Sequence, residues 1–302
     1  MKLSINIGPL LKRYDLATCI DIYKTAGFTA MDYPLFEMNQ DDFILNTDQY
    51  QTVAADIRAL ADAKNLPITQ THAPFSYPKE KWTDSVYYEE QIFPRLIRSI
   101  EISGILGAKV VVIHPIHYMV YKGHEEEIFE INMDYYRKLI PFAKEYGVKI
   151  GVENMFQRDP LRQCIVADTC SDAKEFIRYI DTLDSEQITA CLDVGHVGLP
   201  VSATLSAADF IRALGHDRLG SLHIHDNNYQ TDQHILPYLG KLDWAEIAKA
   251  LGEIDYKGDF TYEVGGQLVA LPDEGFVPIG AAYMANVGKH IMSMVDANRP
   301  VK

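Results

Sequence analysis

Short runs of β-branched and apolar residues alternate along the chain with stretches whose apolar positions recur every three or four residues. Eight runs read as strands: Leu3–Ile7, Thr29–Tyr33, Ile68–Thr71, Val110–Ile113, Lys149–Val152, Thr189–Leu192, Ser221–Ile224 and Phe260–Tyr262. The fourth, Val-Val-Val-Ile, is continuously apolar, as a parallel strand covered on both faces requires. Helical periodicity is clearest at Tyr50–Lys64, Gln91–Leu106, Ile128–Tyr146, Ser171–Ile180, Ala207–Leu214 and Trp244–Ile254, with a last stretch from about Ala281 to Ala297. Gly107 and Gly147 stand where a left-handed residue should stop a helix, and Asp243 where a side chain should cap one. No linker rich in Gly, Ser or Pro divides the pattern. The reading is α/β, one (β/α)8 TIM-barrel domain over 1–302 with its core at about 2–298. The rival, an open doubly wound sheet, would carry a Gly-rich phosphate loop after the first strand; here that strand runs into Ile7-Gly8-Pro9.

Composition narrows the partners. Against 42 Asp+Glu the chain has 28 Lys+Arg, a net charge of −14. Such a surface repels a phosphate backbone, so no nucleic-acid partner is expected. No apolar run approaches a membrane span, the first residues lack the apolar region of a secretion signal, and the four cysteines are scattered; a cytoplasmic enzyme with reduced thiols is expected.

In a (β/α)8 barrel the chemistry sits where the strands end. Here the third to eighth strands end in His72, His114, Glu153, Asp193 with His196, then His223, His225 and Asp226, and Glu263; Asp232 and His234 follow between the last two. Any one of these alone reads as a satisfied core histidine or a loop carboxylate. Six consecutive strand ends converging on one mouth change that, because carboxylates gathered there repel one another unless a cation neutralises them. Three carboxylates and an imidazole suit Mn, Mg or Co, and Zn also accepts them. His223 and His225 lie two apart on one strand face, so either can be the ligand.

The strings HAP, VIHP, VEN, LDVGH, HIHDN and DQH, in that order, give the chain its family resemblance. It resembles the xylose isomerase-like barrel superfamily, the sugar-phosphate isomerase/epimerase group that includes endonuclease IV-type AP endonucleases. The resemblance implies one divalent metal ion held by Glu153, Asp193, His223 and Glu263, with His223 preferred because it stands three residues before Asp226. It implies a sugar or sugar-phosphate isomerase or epimerase, in which Glu153 and Glu263 move a proton through a metal-stabilised enediolate. His72, His114, His196, Asp232 and His234 then bind substrate or further metal. The alternatives are a dehydratase of the same superfamily and an endonuclease IV-like phosphodiesterase with up to three Zn, for which all nine ligand positions have a candidate. A P-G-x-G stretch usually follows the D-x-H motif in such proteins; here the segment reads LPYLGKLDW, with Tyr238 in place of the first Gly.

The expected partner is a small carbohydrate, with homo-oligomers possible. Phe75, Tyr77, Trp82, Tyr87, Tyr88, Tyr118 and Tyr121 can form a lid or pack on one another. Arg158, Lys122 and Lys241 can hold a phosphate or remain solvated loop charges. The final helix, with Ala282, Met284, Ile291, Met292 and Met294, should cover the barrel or join two copies.

Overall fold

The computed structural model describes residues 1–270 and 272–300. Eight parallel strands form the barrel: β1 (Leu3–Asn6), β2 (Ala30–Pro34), β3 (Ile68–His72), β4 (Val110–Ile113), β5 (Lys149–Glu153), β6 (Ile188–Asp193), β7 (Leu219–His223) and β8 (Phe260–Tyr262). Consecutive strands pair in parallel, and β8 pairs with β1 in the register Leu3↔Phe260. Between β7 and β8 the ring is joined by a single bridge, Ile224↔Tyr262. Every residue of β4 and of β6 is buried, as strands with helices outside and side chains inside must be.

The main helices are α1 (Leu16–Ala26), α2 (Tyr50–Ala63), α3 (Phe93–Leu106), α4 (Glu125–Tyr146), α5 (Ala173–Leu183), α6 (Ala207–Arg218), α7 (Trp244–Glu253) and α8 (Phe276–Ala297). Gly107 and Gly147 end α3 and α4 at φ of 79° and 68°, the left-handed conformation expected of them. Asp243 caps α7, its carboxylate accepting from Glu246 N at 3.1 Å.

Several expectations are corrected. The periodicity did not single out α1: its apolar face, Cys19, Ile20 and Tyr23, is broken up by small and polar residues, and the capping carboxylate of Asp15 marks its start. α8 begins five residues earlier than expected, because Val277 and Gly280 also face the core. A hairpin, Phe156–Asp159 with Cys164–Ala167, was not anticipated after β5; it is only partly buried and too short to show a period. α8 packs on α1 and α7, burying Ala281, Met284 and Ile291 while Ile279 and Tyr283 face out. Among the described residues, no helix is long and apolar enough to cross a membrane.

Candidate metal centre and active-site cleft

The strand ends converge. One ligand atom each from Glu153, Asp193, His223 and Glu263 lies within 4.8 Å of the others. His223 Nδ1 sits between two carboxylates, 3.2 Å from Glu153 Oε1 and 3.5 Å from Glu263 Oε2. A second group shares Glu153 with His72 and His114, and a third joins His196, His225, Asp232 and His234. The structure thus separates the two histidines at the end of β7: His223 faces the glutamates, whereas His225 Nε2 lies 2.9 Å from Asp193 Oδ1 and 3.6 Å from Asp232 Oδ1.

Backbone carbonyls aim three of these rings. The Nδ1 atoms of His72, His196 and His234 lie 2.9, 2.8 and 2.8 Å from the carbonyls of Ala73, Asn154 and Glu263. A carbonyl only accepts, so each Nδ1 carries the proton and each Nε2 is turned into the cluster. Metal-binding histidines are oriented in this way. Asn154 also ties β5 to β6, donating to Asp193 O at 3.0 Å and accepting from Asp193 N at 2.8 Å. Glu153 and Asp193, the last residues of those strands, are therefore held side by side.

The donor set is buried and incompletely satisfied. Glu153 is 2 % exposed and Asp193 and His223 are fully buried. Glu153 Oε2, His223 Nε2, His225 Nδ1 and Asp232 Oδ1 have no hydrogen-bond partner. Buried polar atoms are rarely left so without a role. Hard carboxylates, imidazoles and orphaned atoms in one group fit a divalent cation.

Electrostatics point the same way. Burial alone would raise Glu153, but His223 and His114 beside it hold its carboxyl well below the usual range. Burial opposes charge on His196 and His234, yet the surrounding carboxylates, Asp193 for the first and Asp232 for the second, raise them to about 10 and about 9. His114 is the exception: burial outweighs Glu153 and lowers it to about 4.

A cleft opens over this centre in two lobes. The larger, about 540 Å³, is lined by His72, His114, Glu153, His196, Asp232, His234 and Glu263, with Phe75, Tyr77, Trp82 and Tyr118 around them. The second, about 470 Å³, shares His234 and Glu263 and runs between β1, β2 and the segment after β8. Of the expected aromatic lid, Tyr87, Tyr88 and Tyr121 do not line the cleft. Tyr88 stacks on Phe93, Tyr87 lies under Lys81, and Trp82 packs edge-on against Tyr77 and Tyr135. Arg158, Lys122 and Lys241 are exposed and line neither lobe; the cations that do are Lys79 in the larger and Lys12 in the second.

Two features went unread in the sequence. His117 lines the larger lobe with Nδ1 2.9 Å from the buried Asp168, the residue that follows the unanticipated hairpin. Asp226, taken as a landmark for His223, organises the LPYLGKLDW segment. Its two oxygens accept from the backbone N–H of Asn227, Tyr238, Gly240, Lys241 and Leu242 and from Trp244 Nε1. A Cβ on Gly240 would come within 2.2 Å of Asp226 Oδ1, so that glycine is required. Tyr238 replaces glycine at φ 72° and still delivers its N–H to Asp226.

The family described as "Xylose isomerase-like TIM barrel" matches residues 20–284. D-psicose 3-epimerase of Enterocloster bolteae is 33% identical over 122 residues, 40% of this chain and 35% of that protein. A protein of Methanocaldococcus jannaschii, MJ1311, is 29% identical over 161 residues, 52% of this chain and 51% of its own. The chain spans between about a third and three fifths of the length of these curated relatives. Among solved structures, a D-tagatose 3-epimerase-like protein superposes with TM-score 0.74 at 19% identity, covering 98% of this chain and 99% of that one. The IOLI protein with a bound zinc atom gives 0.70 at 19% identity over the whole of both chains. At these identities the superpositions speak to the fold.

Proposed function

Because the chain belongs to the xylose isomerase-like TIM barrel family, and because two carboxylates flank one buried imidazole at its mouth, we propose that it is a divalent-metal-dependent sugar isomerase or epimerase. Glu153, Asp193, His223 and Glu263 would hold the ion. When bound, such an ion polarises a sugar carbonyl and lowers the cost of removing the neighbouring proton.

The chain's residues do the rest. Glu153 comes from β5 and Glu263 from the end of β8, so they approach the site from different sides of the barrel. One carboxylate takes the proton from the carbon beside the carbonyl and the other returns it on the opposite face. His72, His196 and His234, aimed by their carbonyl contacts, donate to or accept from sugar hydroxyls. Phe75 and Phe156 close over His114 and His196 at ring distances of 4.5 and 4.9 Å and keep water from the reacting carbon. The epimerases among the relatives support this reading, as does a surface charge of −14 that disfavours nucleic acid.

The observation that carries the proposal is the Glu153–His223–Glu263 arrangement. The test is to incubate the metal-loaded protein with ketoses in D₂O and follow deuterium entry beside the carbonyl by NMR. Incorporation that is lost on chelation supports the proposal; none across a ketose panel overturns it. A second reading is favoured by the third group, His196, His225, Asp232 and His234. Close to three Zn per chain by elemental analysis would bring phosphoester hydrolysis forward.

A further inference from the structure

The cleft is larger than one sugar ring needs. Either lobe alone falls within the range of about 300–1,000 Å³ that encloses an ordinary small-molecule ligand. The two meet at Glu263 and His234, which line both, whereas Glu153 lines only the larger. A sugar that must reach both glutamates therefore reacts in the larger lobe, and the second lobe is left for something attached to it.

The walls of the second lobe say what that is. Tyr33, Phe36, Phe43, Pro9 and Leu11 present ring and aliphatic surface, and the charged residues beside them, Lys12 and Glu37, are exposed. Its floor residue, Asn6, is already engaged: Nδ2 donates to Asp32 Oδ2 at 2.8 Å and Oδ1 accepts from Gly8 N at 2.9 Å. Hydroxyls pressed against such walls lose water without gaining partners, whereas the C–H face of a ring stacks on them. Phe36 also packs edge-on against His72 and Phe75 of the larger lobe, at 4.8 and 5.1 Å, so one rigid aromatic divides the two compartments.

We infer that the substrate is a keto sugar carrying a second ring on its far end, a glycoside-type molecule rather than a free monosaccharide. The second ring lies between Tyr33, Phe36 and Phe43. This rests on the proton-transfer reading above and adds the substrate class to it.

The test compares three ketoses on the full chain loaded with Mn²⁺: D-fructose, isomaltulose (fructose with a glucosyl group on its terminal oxygen) and fructose benzylated on that oxygen. Deuterium entry from D₂O is the readout. The tailed sugars should exceed fructose in kcat/KM by about 10–100-fold, the scale on which a filled apolar pocket discriminates. The glucosyl arm leading identifies a sugar as the second ring, the benzyl arm an aryl group. A side chain at Gly266 would point into open space at the edge of the second lobe, with nothing within 4 Å of its Cβ. Gly266→Phe should therefore collapse the preference, and Leu11→Trp, from the other wall, should do the same. Fructose exchanging as well as either tailed sugar overturns the inference and leaves the proposed function standing. Exchange on none of the three, with Mn²⁺ bound, overturns both. A preference that survives both filling variants also overturns it.

Discussion

Asp226 and Glu153 are both buried carboxylates at the mouth of the same barrel, and the protein treats them in opposite ways. Asp226 meets five backbone N–H groups and one indole N–H, so both oxygens are saturated by fixed neutral donors. Glu153 meets imidazoles and other carboxylates, and its Oε2, 3.1 Å from His114 Nε2, still lacks an aligned hydrogen bond. A saturated carboxylate shapes a loop. An unsaturated one is held ready for something the chain does not supply.

That contrast sets the experiments. The largest effect should be on chemistry: Glu153→Gln or Glu263→Gln should slow solvent exchange into the sugar by about 10²–10⁴-fold, measured by NMR. Neither should shift the unfolding midpoint as far as a change at Asp226. Asp226→Ala leaves six donors facing a cavity and should cost at least about 3 kcal/mol in urea unfolding. Asp226→Asn should cost less, because one oxygen remains to accept.

The metal comes next. At a free concentration one hundred times its Kd, a divalent ion should raise the unfolding free energy by about 2.7 kcal/mol, and Asp193→Asn should abolish most of that. Its dependence on pH has a defined sign. His196 and His234, raised to about 10 and about 9, hold protons in the folded chain that the unfolded chain releases near 6.5. Their contribution to the metal-free fold is complete below about pH 6.5 and is lost as pH rises through about 9–10. Losing those protons removes positive charge from beside the cation site, so metal affinity should climb over the same interval. Melts of stripped and loaded protein across that range should diverge with pH; parallel curves would detach these histidines from the metal.

The smallest effect lies away from the mouth. Burial raises the Glu175 carboxyl to about 7, despite help from Tyr121 and the Cys170 N–H. A carboxyl raised on folding destabilises the fold as pH climbs from about 4.5 to about 7. Glu175→Gln should therefore gain about 1–3 kcal/mol at pH 8 and almost nothing at pH 4. Unfolding at the two pH values checks this.

How much of this could be read from the sequence follows from the same physics. Strand ends were legible because buried apolar runs stop abruptly at a polar residue: Val152 then Glu153, Leu192 then Asp193. What those residues touch was not legible. His223 and His225 look equivalent two positions apart, and only the closed barrel shows one against Glu153 and the other against Asp193. The role of Asp226 stayed hidden because its partners are backbone N–H groups, which every sequence contains. His117 gives no signal because its partner, Asp168, lies 51 residues away, just past a hairpin with no readable period.

The closure of the ring also has a consequence in time. β8 is three residues long and pairs with β1 across more than 250 residues of chain. During synthesis, Glu153, Asp193 and His223 can gather on seven strands well before Glu263 emerges. Contacts of such sequence separation form late. The barrel thus acquires Glu263, one of the two carboxylates proposed to move the proton, in its last assembly step, and a nascent chain stalled before residue 260 would lack that side of the centre.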